Sequence, residues 1–269
     1  MPVERTFTGL PYDLDDLLPE LAGLGRRTTL LLPKSGSPGV RESSLGGPLL
    51  WPADEPWPTC GQPGHWAWPD EKSPPGTVPM VPVAQLFARD VPEFSFPEGR
   101  DMLQLVWCPL IHPQDQAHAA LPKLYWRREA DVLAVGVLRD IPAPQAGEYE
   151  EEFTPSPCAV FPTPAVEYPN WDMPEELQQA LQPRIEELEE RFGMEYTRFA
   201  CALQNKVGGY PAWNQQPDWP VCERGHRMEH LLSITAEEEL DMDMGDLGGM
   251  YIFVCRACPD LPYAHRYDC

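Results

Sequence analysis

Residues 45–65 read LGGPLLWPADEPWPTCGQPGH and residues 207–226 read VGGYPAWNQQPDWPVCERGH, so one pattern is written twice. Gly46 and Gly47 align with Gly208 and Gly209, Trp51 with Trp213, Trp57 with Trp219, Pro58 with Pro220 and Cys60 with Cys222, all at identical spacing. His65 and His226 differ by one position. Further on, PMVPVAQL (79–86) lies against RMEHLLSI (227–234) and MLQLVWCPLIH (102–112) against MYIFVCRAC (250–258), which pairs Met80 with Met228 and Cys108 with Cys255. Tryptophan and cysteine are rare, so their recurrence at fixed spacing implies an internal duplication. Paired glycines permit positive φ or close backbone approach, and a tryptophan followed by proline is a large apolar anchor on a stiff turn. We read these residues as scaffold.

Proline is 34 of 269 residues and is spread along the chain. It disfavours long helices and central strands, so short elements on rigid turns are expected. Residues 28–33 (TTLLLP), 102–107 (MLQLVW), 122–126 (PKLYW) and 132–138 (VLAVGVL) read as strands. In 14–24 (LDDLLPELAGL), Leu14, Leu17, Leu18 and Leu21 share a helical face, and Pro19 is acceptable only if the helix starts just before it, so a short helix ending near Gly25 is expected. Residues 172–193 form the clearest helix: Asp172 precedes Glu175 at capping-box spacing, Leu177, Leu181, Ile185, Leu188 and Phe192 make one face, and Pro183 should kink it. The expected fold class is α+β, β-dominated, internally duplicated into two pseudo-symmetric β-rich halves with few short helices. The expected domains are 1–143 as the first half (motif 45–112), 144–170 as an acidic, proline-rich linker, and 171–269 as the helix plus the second half (motif 207–258).

The repeated cysteines and histidines carry the chemistry. In the second copy Cys222 and His226 are four apart, Cys255 and Cys258 three apart, with 28 residues between the pairs. Two close-spaced pairs let two turns close a tetrahedron around zinc, for which thiolate and imidazole are natural donors. The first copy offers Cys60 with His65 and Cys108 with His112, at looser spacing. Four protein ligands leave no open position, so such zinc would be structural and no catalytic residue is assigned. The alternative is that the thiols are reduced core residues and the histidines ordinary polar ones. His118 and His230 are spare ligand candidates, while Cys158, Cys201 and Cys269 fall outside the pattern.

Other catalytic and metal motifs do not match. HRMEH (226–230) has its glutamate in the wrong place for a metalloprotease. Asp241, Asp243 and Asp246 lie near glycines, but Asp246 and Ile252 stand where a calcium loop needs Gly and Glu, so a turn before a strand at 250–254 is expected. Phosphate-binding loops, dinucleotide fingerprints and G-x-S-x-G are absent from the sequence. Acidic residues number 42 against 20 basic, a net charge of −22 that repels phosphate backbones and anionic headgroups. Neither nucleic acid nor membrane is an expected partner. MPVERTFTGLPYDLDDLL lacks a basic start followed by an apolar run, so a cytoplasmic protein with reduced thiols is expected.

LGGPLLWP with Trp57-Pro58, and KVGGYPAW followed by GDLGGMYIFV, resemble the YwqG-like family, bacterial proteins of unknown function. VGGYPAW and YIFVC are similar to segments of the programmed cell death protein two family, in which a like pattern precedes paired cysteines. This chain has His65, His112 and His226 where those relatives favour cysteine. The resemblance implies a β-rich duplicated fold and, from the eukaryotic relatives, the binding and escorting of a client protein. We therefore expect a non-enzymatic, zinc-stabilised protein-binding module, with a basic client suited to the acidic surface. The rival expectations are a metal-dependent enzyme with an open site in the first half, and a structural subunit of a larger assembly.

Overall fold

A computed structural model of the chain describes residues 13–68, 72–113, 119–245 and 248–268. His118, Asp246 and Cys269 lie outside the described residues. In place of the helix expected from just before Pro19 to near Gly25, helix α1 (Leu14–Leu17) gives way to a single 3-10 turn, Pro19–Leu21, because Pro19 has no N–H with which to continue an α-helix. Strands β1 (Arg26–Ser35), β2 (Ser44–Leu45), β3 (Thr59–Cys60), β4 (Val78–Pro79), β5 (Val81–Phe87), β6 (Met102–His112) and β7 (Ala119–Arg127) follow. Then come α2 (Glu129–Val135), β8 (Cys158–Glu167), α3 (Glu175–Phe192) and α4 (Tyr196–Ala200). The chain continues through β9 (Lys206–Gly208), β10 (Glu229–Thr235), β11 (Gly249–Val254) and β12 (Tyr263–Asp268). The protein is thus β-dominated with few helices. Among the described residues, no helix is long and apolar enough to cross a membrane.

The residues divide between two compact units. One, the Cys60 unit, is Leu32–Pro162 with Ala236–Gly248; the other, the Cys222 unit, is the described part of Met1–Leu31, Thr163–Thr235 and Gly249–Cys269. In the Cys60 unit β2, β5, β6 and β7 pair antiparallel in that order, and β2 also pairs with the start of β8. Strand β6 is buried at all eleven positions, and its polar members Gln104 and His112 are hydrogen-bonded. In the Cys222 unit β9, β10, β11 and β12 pair antiparallel in that order, and β9 also pairs with β1.

Local details recur in the two units. Gly46 and Gly47 have φ of 70° and 89°, Gly208 and Gly209 of 76° and 71°, a backbone state that side chains resist. Met80 N–H donates to the Pro58 carbonyl at 3.0 Å and Met228 N–H to that of Pro220 at 2.9 Å. Strand β5 slips register between Pro82 and Ala84, and β10 between His230 and Leu232.

Three expectations need correction or refinement. VLAVGVL was expected as a strand, but Glu129–Val135 is α2. Asp101 accepts a hydrogen bond from the Glu129 N–H at 2.7 Å, Glu129 and Asp131 complement the helix N-terminus, and Gly136 at φ 92° ends it. Asp172 does not cap α3: Pro174 holds the N-cap position without a side-chain cap, and the helix starts at Glu175. The stretch 144–170 includes β8 and the buried Phe153, whose carbonyl accepts from the Trp107 indole at 2.6 Å. The helical leucines do converge, with Leu14, Leu18 and Leu21 packing in one core with Leu181, Ile185 and Leu188.

The Cys222 unit holds a fully buried ion pair, Lys206 Nζ to Glu167 Oε1 at 2.6 Å. Glu167 Oε1 also accepts from Ala202 N–H and Oε2 from Tyr210 N–H, each at 2.8 Å. Lys206 further donates to the Ala202 carbonyl at 2.8 Å and the Cys201 sulfur at 3.2 Å, so all three of its protons are used. Gly209 is glycine because a Cβ there would sit 2.1 Å from Glu167 Oε2. Removing one partner leaves a buried uncompensated charge, so Glu167→Gln and Lys206→Met should each lower unfolding free energy by about 3–5 kcal/mol. Denaturant titration checks this; a loss below about 1 kcal/mol, the scale of an exposed pair, would refute it.

Candidate metal centres

Each cysteine and histidine of interest is placed by backbone that the neighbouring sequence dictates. Cys60 ends β3, a two-residue strand paired with β4, and the loop around it is pinned by the Trp57 indole, which donates to the Met80 carbonyl at 2.7 Å. Cys108 and His112 lie four apart on β6, across a register shift against β7 that still brings their donor atoms together. His65 reaches them because Trp66 and Ile111 exchange two backbone hydrogen bonds, at 3.1 and 2.9 Å. In the other unit, Cys222 N–H donates to the His226 carbonyl at 2.9 Å across a turn in which Gly225 takes φ 81°. Cys255 follows β11 directly, and its N–H donates to the Pro262 carbonyl at 2.8 Å, which folds Cys258 back beside it.

All eight residues singled out in the sequence assemble, as two groups of four: Cys60, His65, Cys108 and His112, and Cys222, His226, Cys255 and Cys258. Within each group the four donor atoms lie within 4.8 Å of one another, and each group could hold a metal ion. In the first, Cys60 Sγ is 3.6 Å from His65 Nδ1 and 3.5 Å from His112 Nε2, and Cys108 Sγ is 3.7 Å from His65 Nδ1. In the second, His226 Nδ1 is 3.6, 3.7 and 3.4 Å from the sulfurs of Cys222, Cys255 and Cys258, while Cys258 Sγ is 3.8 Å from that of Cys222 and 3.5 Å from that of Cys255. Bonds of about 2.3 Å to sulfur and 2.0–2.1 Å to nitrogen give a tetrahedron with edges of about 3.4–3.8 Å, the spacing these atoms have. Disulfides are excluded at such distances, and the seven described cysteines are free thiols.

The electrostatics are those of shared protons. The hydrogen bond from Cys108 lowers the Cys60 pKa, helped by His112, and the same bond together with burial raises that of Cys108. Burial works against the Cys222 thiolate, but the N–H groups of His226 and Arg224 and the sulfurs of Cys255 and Cys258 outweigh it. Burial and the same sulfur contacts push Cys258 up. A divalent cation would replace the shared protons, balancing the two thiolates of the Cys60 group and two of the three in the Cys222 group. His112 is also oriented from behind: its Nδ1 lies 2.8 Å from the Leu110 carbonyl, which can only accept, so Nδ1 carries the proton and Nε2 keeps its lone pair for a metal.

His230, the spare candidate within the described residues, joins neither group. Its Nδ1 donates to the Gly208 carbonyl at 3.0 Å, and its Nε2 accepts from the Ser233 hydroxyl at 2.9 Å. Cys158 donates to the Glu239 carbonyl at 2.9 Å and Cys201 to the Tyr210 carbonyl at 3.3 Å, so both are used as buried polar groups.

A β-rich chain that gathers two sets of cysteine and histidine donors belongs to the broad class of proteins with candidate Cys/His metal centres. Residues 43–257 match the family described as "Domain of unknown function (DUF1963)", and the chain belongs to that family. The match takes in every member of the two groups except Cys258. No curated protein matches the chain.

Burial, reinforced by the Lys206 charge, lowers the His230 pKa to about 3. The unfolded chain takes up the proton near pH 6.5 while the folded chain does not, so stability present above that value is lost as pH falls toward 3. Between pH 7 and pH 5 the contribution lost is about 2 kcal/mol. Denaturation of wild type and His230→Gln at both pH values should show the variant losing less by about that amount; parallel losses would mean the histidine titrates normally.

Proposed function

We propose that the protein is a non-enzymatic, zinc-stabilised protein-binding module. The observation that carries this reading is the donor spacing of the two Cys/His groups, which fits tetrahedral zinc with four protein ligands each. A closed site of that kind stabilises loops and leaves no position for substrate. In the Cys60 group all four donors are buried, which supports the structural role over an open catalytic site there. Proline-rich loops such as 46–58 form little regular structure, so a metal cross-link would add order that local hydrogen bonding lacks.

The two halves are read as an internal duplication. Its support is the shared strand order β2-β5-β6-β7 and β9-β10-β11-β12, the paired positive-φ glycines, and register slips at positions that align in the sequence. Resemblance to the YwqG-like and programmed cell death protein two families accords with such a fold and with client binding. A net charge of −22 favours a basic partner, which it would steer and orient. The protein is proposed to act in the cytoplasm.

Elemental analysis of protein purified without a metal-affinity column should find near two zinc per chain, and Cys108→Ser and Cys255→Ser should each lose one. Near-zero metal in fresh, reduced protein would make the cysteines core residues and end the zinc reading. A low-salt pull-down should recover a stoichiometric basic partner that salt releases. Failure to recover any partner would remove the client-binding part alone.

A further inference from the structure

The two Cys/His groups differ in how a molecule from solution could reach them. In the Cys60 group, Cys60, His65, Cys108 and His112 are 3, 2, 0 and 4 % exposed, and His112 is held from behind by Leu110. In the Cys222 group the three cysteines are buried but His226 is exposed. A pocket of about 290 Å³ opens beside this second group and is lined by Cys222 and Cys258 themselves, with Arg224 as its cation, Glu223 and Asp260 as its carboxylates, and Val221 and Tyr263. Val221 and Tyr263 are 64 and 38 % exposed, so the pocket communicates with solvent. Arg224 pairs with Asp260 at 3.3 Å, both side chains more than half exposed, and such a pair yields readily to another carboxylate.

Zinc has no d-electron preference for one geometry and can take a fifth ligand, so exchange proceeds when an entering donor binds before a protein ligand leaves. That route needs a path from solvent to the donor atoms. The geometry points to the pocket beside Cys222 and Cys258 as the entry site for a small thiol that carries a carboxylate, through which this centre exchanges its zinc while the buried centre retains its own. The inference rests on the zinc reading above. The entering sulfur would bond to zinc as a thiolate, its proton passing to solvent, Arg224 would receive the carboxylate, and the exposed His226 would be the ligand that leaves. Zinc remains divalent throughout, and no oxidant or reductant is required.

The test uses the full zinc-loaded chain, its metal content counted first, with a chromogenic pyridylazo chelator following release. One zinc per chain should leave fast and the second about ten-fold or more slowly. Thioglycolate should accelerate the fast phase more than the uncharged mercaptoethanol does, and Arg224→Gln should remove that difference. Cys222→Ser should abolish the fast phase and Cys60→Ser the slow one. Val221→Trp, at an exposed position that is not a ligand, should fill the pocket mouth and slow the fast phase with metal content unchanged, even if a cysteine variant fails to fold. A single common rate, a fast phase lost with Cys60, or an unaltered fast phase in Val221→Trp would overturn the proposal. A starting content below two zinc would instead defeat the metal reading, and this inference with it.

Discussion

A chain with 34 prolines in 269 residues gives up many of the backbone donors by which loops normally hold together. Side chains take over that task here, and much of the structure follows from it. Gln85 accepts from the Leu50 N–H at 2.7 Å and donates to the Val40 and Glu42 carbonyls at 2.9 and 3.0 Å, so one buried amide ties a whole loop. Gln104 donates to Gln85 and to the Leu50 carbonyl, and its own oxygen accepts from Arg127, which is anchored by two bonds to Glu55. Glu167 does the same for the segment 202–210 in the other unit. Two Cys/His groups complete the set, each joining turns distant in sequence.

These ties differ in what they leave on the surface of the sequence. Cysteine and histidine are rare, and eight of them at matching places announce a cluster before any backbone is known. The start of strand β6 was equally plain, since MLQLVW at 102–107 is apolar but for Gln104. The pairing of Lys206 with Glu167 was invisible, because the residues are 39 apart and each reads as an ordinary surface charge. Nothing local says that both will be buried; only the fold supplies the partner. Helix α2 was misread for a related reason. VLAV suits helix or strand alike, and the choice is made by Asp101, distant in sequence, which caps the start. At α3 the spacing of Asp172 and Glu175 was real, but Pro174 occupied the position the cap would need.

The two Cys/His groups have similar donors and spacing but unlike surroundings. The Cys60 group lies in a core with Leu49, Val78, Met80 and Val106, and all four of its donor residues are buried. Its counterpart sits with Met228, Tyr251 and Phe253, yet its histidine reaches solvent. Similar chemistry within different packing is how a protein can keep one centre for its own stability and leave another open to its surroundings.

The tryptophans of the repeated motif carry one more consequence. Trp51 and Trp57 share a core with Cys60 and Cys108, and Trp213 shares one with Cys222, Cys255 and Cys258, with Trp219 packed against it. Sulfur that holds a proton, a metal or an oxygen differs in how readily it gives up an electron to an excited indole. The anchors that shape these loops therefore also make the molecule luminous in a way that depends on its sulfurs. Four of the chain's nine tryptophans thus sit where their emission would report on the sulfurs packed with them.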